Sequence, residues 1–190
     1  DEMPDDFDTF WNKQVAEVEV PQDYQLLEKD FQIAYATCYE LTFKSGNGGQ
    51  IYAKLVVPKL SEKIPALFHF HGYMGQGWDW ADMLAYTAAG WGVVSMDVRG
   101  QSGYSLDGDR EVRGNTVKGH IIRGALDGPD QLFFKDVYLD VYTLVELVAG
   151  LDFVDENRLS SFGGSQGGAL ALVAAALNSR IKQTVAIYPF

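Results

Sequence analysis

A single cysteine, Cys38, rules out an internal disulfide and a metal cluster built on cysteine. Its neighbours alternate in polarity (Thr37, Cys38, Tyr39, Glu40, Leu41), so it reads as a plain strand residue. Basic residues are scarce too: 15 lysines and arginines face 26 aspartates and glutamates, a net charge of −11. Nucleic acid and anionic membrane surfaces would be repelled, which argues against both as partners. The acidic residues are scattered rather than blocked, as on a solvated face. No apolar run approaches the roughly 18 residues that a membrane helix needs. The opening stretch, DEMPDDFDTF, lacks the basic and apolar regions of a secretion leader. A cytoplasmic protein is therefore expected, unless a leader was removed ahead of Asp1. There is no internal repeat, and the spacing of potential ligands suggests no metal and no other cofactor.

What is present is an ordinary globular composition: 190 residues, 47% hydrophobic and 22% charged. This length suits one domain with a substantial core. Pro4 to Val18 reads as a helix, with Asp5, Asp6 and Asp8 at its positive end and Phe7, Phe10, Trp11 and Val15 on one packing stripe. Strand-like runs follow at Tyr24–Phe31, Thr37–Phe43 and Ile51–Val57. The SGNGG stretch at Ser45–Gly49 predicts a hairpin between the last two. Residues 1–64 thus form a helix and an antiparallel unit. Residues 65–190 change to alternation, with apolar strands at Leu67–Phe70, Val93–Val98, Leu159–Phe162 and Thr184–Tyr188. Helices near Ala81–Ala89, Lys135–Leu151 and Gln166–Leu177 separate them. Such alternation predicts an α/β fold: a mainly parallel sheet with helices on both faces. Gly100 to Gln131 is glycine-rich and reads mostly as loop, and long loops in compact domains are often functional.

The stretch Arg158–Leu177 organises the chemistry. Gly163, Ser165 and Gly167 satisfy G-x-S-x-G between a short strand and an apolar helix, the pattern of a nucleophile elbow. Glycines belong there because the turn brings backbones too close for a Cβ. The following helix aims unpaired amides at the serine, where an oxyanion would form. The competing reading is a Gly-Ser turn with no chemistry. A second motif, HFHGYMG at His69–Gly75, follows the first parallel strand. It is either an oxyanion-hole loop donating the Tyr73 amide alongside that of Gln166, or a glycine-rich strand exit. His69 alternates with Phe68 and Phe70 and reads as a core histidine, while His71 reads as shaping the loop. In the third motif, DVRGQSGY at Asp97–Tyr104, Arg99 is an ion-paired strut or a surface arginine, and spacing does not choose between them.

HGYMG, DVRGQSG and GGSQGG at these separations resemble carbohydrate esterase family 7, the acetyl xylan esterases that also deacetylate cephalosporin C. The likeness runs from Asp1 to Phe190 and includes the stretch GNTVKGHIIRG. It implies an α/β-hydrolase fold with Ser165 as nucleophile and Tyr73 and Gln166 as the oxyanion hole. It implies a structural role for Arg99, Gly100 and Gln101 beside Gly163 and Gly167. It further implies acetylated small sugars or the antibiotic as substrates, no cofactor, and a hexamer with sites facing an inner cavity.

In α/β-hydrolases the triad runs serine, then acid, then histidine. After Ser165 this sequence has no aspartate, glutamate or histidine, and His69, His71 and His120 all precede it. The chain is therefore expected to be the N-terminal part of a longer enzyme, an incomplete hydrolase domain with acid and base beyond Phe190. The alternatives are a hydrolase of another class (peptidase, thioesterase or lactonase) and a non-catalytic binding module of the same fold.

Overall fold

Seven strands share one sheet: β1 (Gln25–Glu28), β2 (Ala36–Lys44), β3 (Gln50–Pro58), β4 (Ile64–Phe70), β5 (Gly92–Met96), β6 (Val154–Gly164) and β7 (Ile181–Ile187). The computed structural model describes residues 2–108 and 121–190. Strand order is β1-β2-β3-β5-β4-β6-β7. The pairings from β1 through β3 to β5 are antiparallel, and β5–β4, β4–β6 and β6–β7 are parallel. The antiparallel unit is thus no separate layer; it extends the sheet, joined where Ala53–Val56 pair with Val93–Met96. The helices among the described residues are α1 (Phe7–Ala16), α2 (Trp80–Ala88), α3 (Phe133–Ala149) and α4 (Gln166–Leu177).

Alternation along the strands sorts side chains onto two faces. Ile51, Ala53 and Leu55 of β3 and Phe68 and Phe70 of β4 belong to the main core with α3 and α4. Val137, Val141, Leu144, Val145 and Val148 of α3, at helical spacing, are all fully buried there. Cys38, Val56 and Val93 point the other way, onto Met83 of α2. Helix α1 leans on α3 through Trp11, whose ring centroid is 5.6 Å from that of Tyr138. Leu172 stays exposed on α4, so that helix buries one face rather than all of its apolar surface.

Boundaries move where polar residues carry the ladder. The expected strand Tyr24–Phe31 shrinks to β1, because the amides of Phe31 and Ile33 turn back onto the Lys29 and Phe31 carbonyls. β6 starts early, at Val154, and runs through charged Asp155–Arg158, where Arg158 is held by Asp155 and the Lys63 carbonyl. Of the Gly100–Gln131 stretch, Leu106 bridges to Gln50 and Pro129–Gln131 form one 3₁₀ turn. Residues 109–120, including His120 and most of GNTVKGHIIRG, lie outside the described residues.

The β2–β3 hairpin turns at Gly46–Gly48, with Asn47 at φ 54°, and is locked to the helix layer by one arginine. Arg99, just beyond β5, is fully buried. Its Nε and Nη2 donate to the two carboxylate oxygens of Asp140 on α3 at 2.6 Å each, and Nη2 also donates to the Gly46 carbonyl. Asp107 and Asp136 approach its other nitrogen at 3.5 and 3.8 Å. Burial opposes the charge on Arg99, but the three carboxylates outweigh it and hold the guanidinium protonated. A Cβ on Gly49 would drive into that guanidinium. Arg99 is therefore a strut and not a surface residue. Asp140→Ala should cost about 3–5 kcal/mol, because a buried charge loses its bidentate partner. Urea unfolding checks this; a loss below about 1 kcal/mol would mean the ion pair does not bind hairpin to helix.

Candidate active site

Ser165 sits between β6 and α4 with φ 56° and ψ −124°, a conformation that costs a non-glycine residue about 1–3 kcal/mol. Neighbouring backbone holds it there. The Ser165 amide donates to the Ile187 carbonyl of β7 at 2.9 Å, and its carbonyl accepts from Ala169 in α4. A Cβ on Gly163 would strike the Gly167 carbonyl, and one on Gly167 would strike the Phe70 carbonyl at the end of β4. Both glycines are thus required by contact between backbones. Ser165 itself is exposed, at the carboxyl ends of the parallel strands.

The loop after β4 reaches the same place. A Cβ on Gly72 would lie 3.9 Å from Ser165 Cβ, so the HGYMG loop passes directly beside the elbow. Within it, His71 Nδ1 pairs with the Gly72 carbonyl at 2.7 Å, and its Nε2 accepts from the Val98 amide at 2.9 Å. Both ring nitrogens are committed, so His71 shapes the loop, as expected. His69 is bonded to Ser95 Oγ at 2.8 Å and stacked on Trp78, with ring centroids 3.7 Å apart. It is the core histidine that its alternation predicts.

Gln101 joins the three motifs. Its side-chain amide exchanges two hydrogen bonds, 2.6 and 3.1 Å, with that of Gln166, and its oxygen accepts from the Met74 amide at 2.7 Å. Both glutamines are completely buried. Met74 follows Tyr73 and Gln166 follows Ser165, so this clasp fixes the two peptide segments named as amide donors. Gly100, at φ 67°, makes the turn that carries Gln101 inward. Tyr73 leaves its ring half exposed.

Two residues escape sequence reasoning. Asp140 lies 41 positions from Arg99, and its signal is two carboxylates, Asp136 and Asp140, interrupting the apolar face of α3. Asp97 is the other: its carboxylate accepts from the amides of Gly77 (2.6 Å) and Tyr104 (2.8 Å), tying both loops to the end of β5. Among the described residues no group of three or more His, Cys, Asp or Glu side chains could hold a metal ion. Nor do the described residues place a free imidazole at Ser165, given the bonding of His69 and His71.

A family model described as acetyl xylan esterase (AXE1) matches residues 1–190. The acetyl xylan esterase 1 of Thermoanaerobacterium sp. JW/SL YS485 superposes with a TM-score of 0.92 at 45% identity, over 98% of this chain and 59% of that one. The acetyl xylan esterase of Paenibacillus sp. R4 superposes with a TM-score of 0.89 at 31% identity, over 98% and 60%. A curated relative, the acetyl esterase Axe7A of Xylanibacter ruminicola, is 29% identical over 98% of this chain and 44% of its own length. The chain thus spans about half of that curated relative and three fifths of the solved ones. These superpositions carry the α/β-hydrolase fold expected from the motifs.

The two buried imidazoles make stability depend on acid. Burial pushes His69 down to about 3 from an ordinary 6.5, with His71 adding to the effect. Burial also lowers His71, against the Gly72 carbonyl and Asp97. Below pH 6.5 the unfolded chain takes up protons that the fold refuses, so His69 makes stability fall toward pH 3 by about 1.4 kcal/mol per unit, and His71 acts in the same direction. His69→Gln should flatten the urea-unfolding profile between pH 6 and 4 by about that slope. An unchanged profile would contradict a neutral, buried His69.

Proposed function

The chain belongs to the acetyl xylan esterase family, and from that membership we propose that it carries the nucleophile of a serine esterase. Its substrates are acetylated xylo-oligosaccharides, other small sugars and cephalosporin C, hydrolysed through an acetyl-enzyme intermediate. The observation that carries this reading is Ser165 itself, exposed and strained ahead of the first turn of α4. A serine is held in such a conformation at a cost, and nucleophile elbows are where that cost brings Oγ to the reacting carbonyl.

In this mechanism a histidine takes the Ser165 proton as Oγ bonds to the acetyl carbon and the carbonyl becomes an oxyanion. The amides of Tyr73 and Gln166 receive that oxygen, each worth about 10²–10³ in rate. The clasp through Gln101 supports this assignment, since it immobilises the peptide next to each donor. The sugar oxygen then leaves with the proton from the imidazolium, and water releases acetate by the same steps. We assign the acid and the histidine to positions beyond Phe190, in keeping with the order of the triad; the commitment of His69 and His71 to internal bonds supports this. A hexamer with its sites facing an inner cavity is part of the same proposal, supported by the family resemblance.

In the full-length polypeptide, Ser165→Ala should lower hydrolysis of an aryl acetate by about 10⁶ while leaving thermal unfolding unchanged. Tyr73→Phe should keep most of the activity, because its amide and not its ring is the donor. Near wild-type turnover by Ser165→Ala would sink the nucleophile. A loss in Tyr73→Phe as deep as that in Ser165→Ala would sink the amide donor.

A further inference from the structure

On the α2 face of the sheet lies a cavity of about 480 Å³. That is inside the range of about 300–1,000 Å³ typical of small-molecule sites. Tyr52, Trp80 and Tyr104 supply aromatic surface, and Glu40, Lys54 and Asp79 supply charge. We propose that this cavity is a subsite for a neutral sugar ring of the acetylated chain, holding the oligosaccharide while its ester lies at Ser165. The inference rests on the esterase reading above and adds the place where the glycan is gripped.

Position is the first argument. Gly72 lies against Ser165, and Gln76, four residues further on, lines the cavity, so the two are within about 14 Å along the chain. From the other side, Gln166 holds Gln101, and the chain reaches the cavity at Gly103 and Tyr104 two and three residues later. Two short paths from the nucleophile therefore meet at its walls.

Preorganisation is the second. Tyr104 is 71% exposed, yet the peptide beneath its ring is fixed. Its amide donates to Asp97, the Ser105 hydroxyl donates to the Asp97 carbonyl at 2.6 Å, and Leu106 exchanges two backbone hydrogen bonds with Gln50. Gly103, at φ 91°, packs so tightly on the Asp97 carboxylate that a Cβ would collide with it. The Tyr104 ring stands 5.1 Å from that of Tyr52, tilted by 57°. An exposed aromatic ring on an immobile loop binds without paying the entropy of being ordered.

Chemistry is the third. The C–H face of a sugar ring packs on an aromatic face, and its hydroxyls need acceptors and donors at the edge. Glu40 accepts from Tyr52 Oη at 3.0 Å and pairs with Lys29 at 3.2 Å, and Asp79, exposed at the rim, pairs with Lys54 at 3.8 Å. Lys54 Nζ donates to the Trp78 carbonyl at 2.9 Å, which leaves it further N–H groups to donate. Three carboxylates in the walls (Glu40, Asp79 and Asp97) against two ammoniums (Lys54, and Lys29 paired to Glu40) give the cavity a negative bias, which favours a neutral glycan over one bearing uronic acid.

The test measures binding in full-length Ser165→Ala protein, where no ester is consumed, using xylotetraose and following intrinsic tryptophan fluorescence. Saturable binding is expected. Tyr104→Ala in the same background should raise Kd about tenfold, Tyr104→Trp should largely restore it, and a glucuronic-acid-substituted xylotetraose should bind more weakly. Thermal unfolding verifies that each variant is folded. No saturable binding, or a Kd indifferent to Tyr104, overturns the subsite, and a uronic ligand that binds equally well overturns its charge argument. Aryl acetate hydrolysis by the wild type separates the two readings. Hydrolysis without Tyr104-dependent binding removes only the subsite, and binding without hydrolysis removes the esterase reading.

Discussion

Where β6 turns into α4, backbone meets backbone with no room for side chains, and the candidate site follows from that contact. Gly167 lies against the Phe70 carbonyl and Gly163 against the Gly167 carbonyl, so the turn, the end of β4 and the first residues of α4 form one packed unit. With a glycine two positions to either side, Ser165 absorbs the strained φ and ψ and points outward. The same contact carries the start of the HGYMG loop to Ser165, because that loop begins where β4 ends. A single larger residue at Gly163 or Gly167 would separate elements that the rest of the site assumes to be touching.

Two clasps of different physics keep the loops in register above this contact. Arg99 and Asp140 form a fully buried ion pair, which brings little net stability but penalises any arrangement that leaves one charge alone. It therefore specifies where the β2–β3 hairpin sits relative to α3. Gln101 and Gln166 form a neutral pair, satisfied on both sides and extended to the Met74 amide. A neutral clasp adds no negative charge to the floor beside Ser165, which suits the oxyanion proposed to form there. Arg-Gly-Gln places both functions on consecutive turns of one chain, with Gly100 supplying the left-handed step between them.

The parts legible in the sequence were those with local causes. The bounds of α4 are those expected, because Ser165 and the end of the apolar run mark them. The hairpin at Ser45–Gly49 and the elbow were equally plain, since glycine placement reports backbone geometry directly. Strands with a partly polar surface are harder: β7 begins at Ile181, three residues before the apolar run, because Ile181 and solvent-facing Gln183 pair with β6 on either side of a register shift at Lys182. Arg99 stood open between strut and surface, since its partner Asp140 is local only in space. Resemblance alone points to Gln101; nothing in its sequence neighbours reports a bond to Gln166. The aromatic cavity at Tyr52 and Tyr104 is likewise assembled from distant positions.

The central claim is that Ser165 is the reactive nucleophile of the chain. The most direct measurement treats the full-length protein with a fluorophosphonate, which forms a stable adduct only with an activated hydroxyl, and maps the modified peptide by mass spectrometry. The account predicts one adduct per chain, on Ser165, formed in step with the loss of ester hydrolysis. An adduct on another residue, or complete loss of activity with Ser165 unmodified, would contradict it.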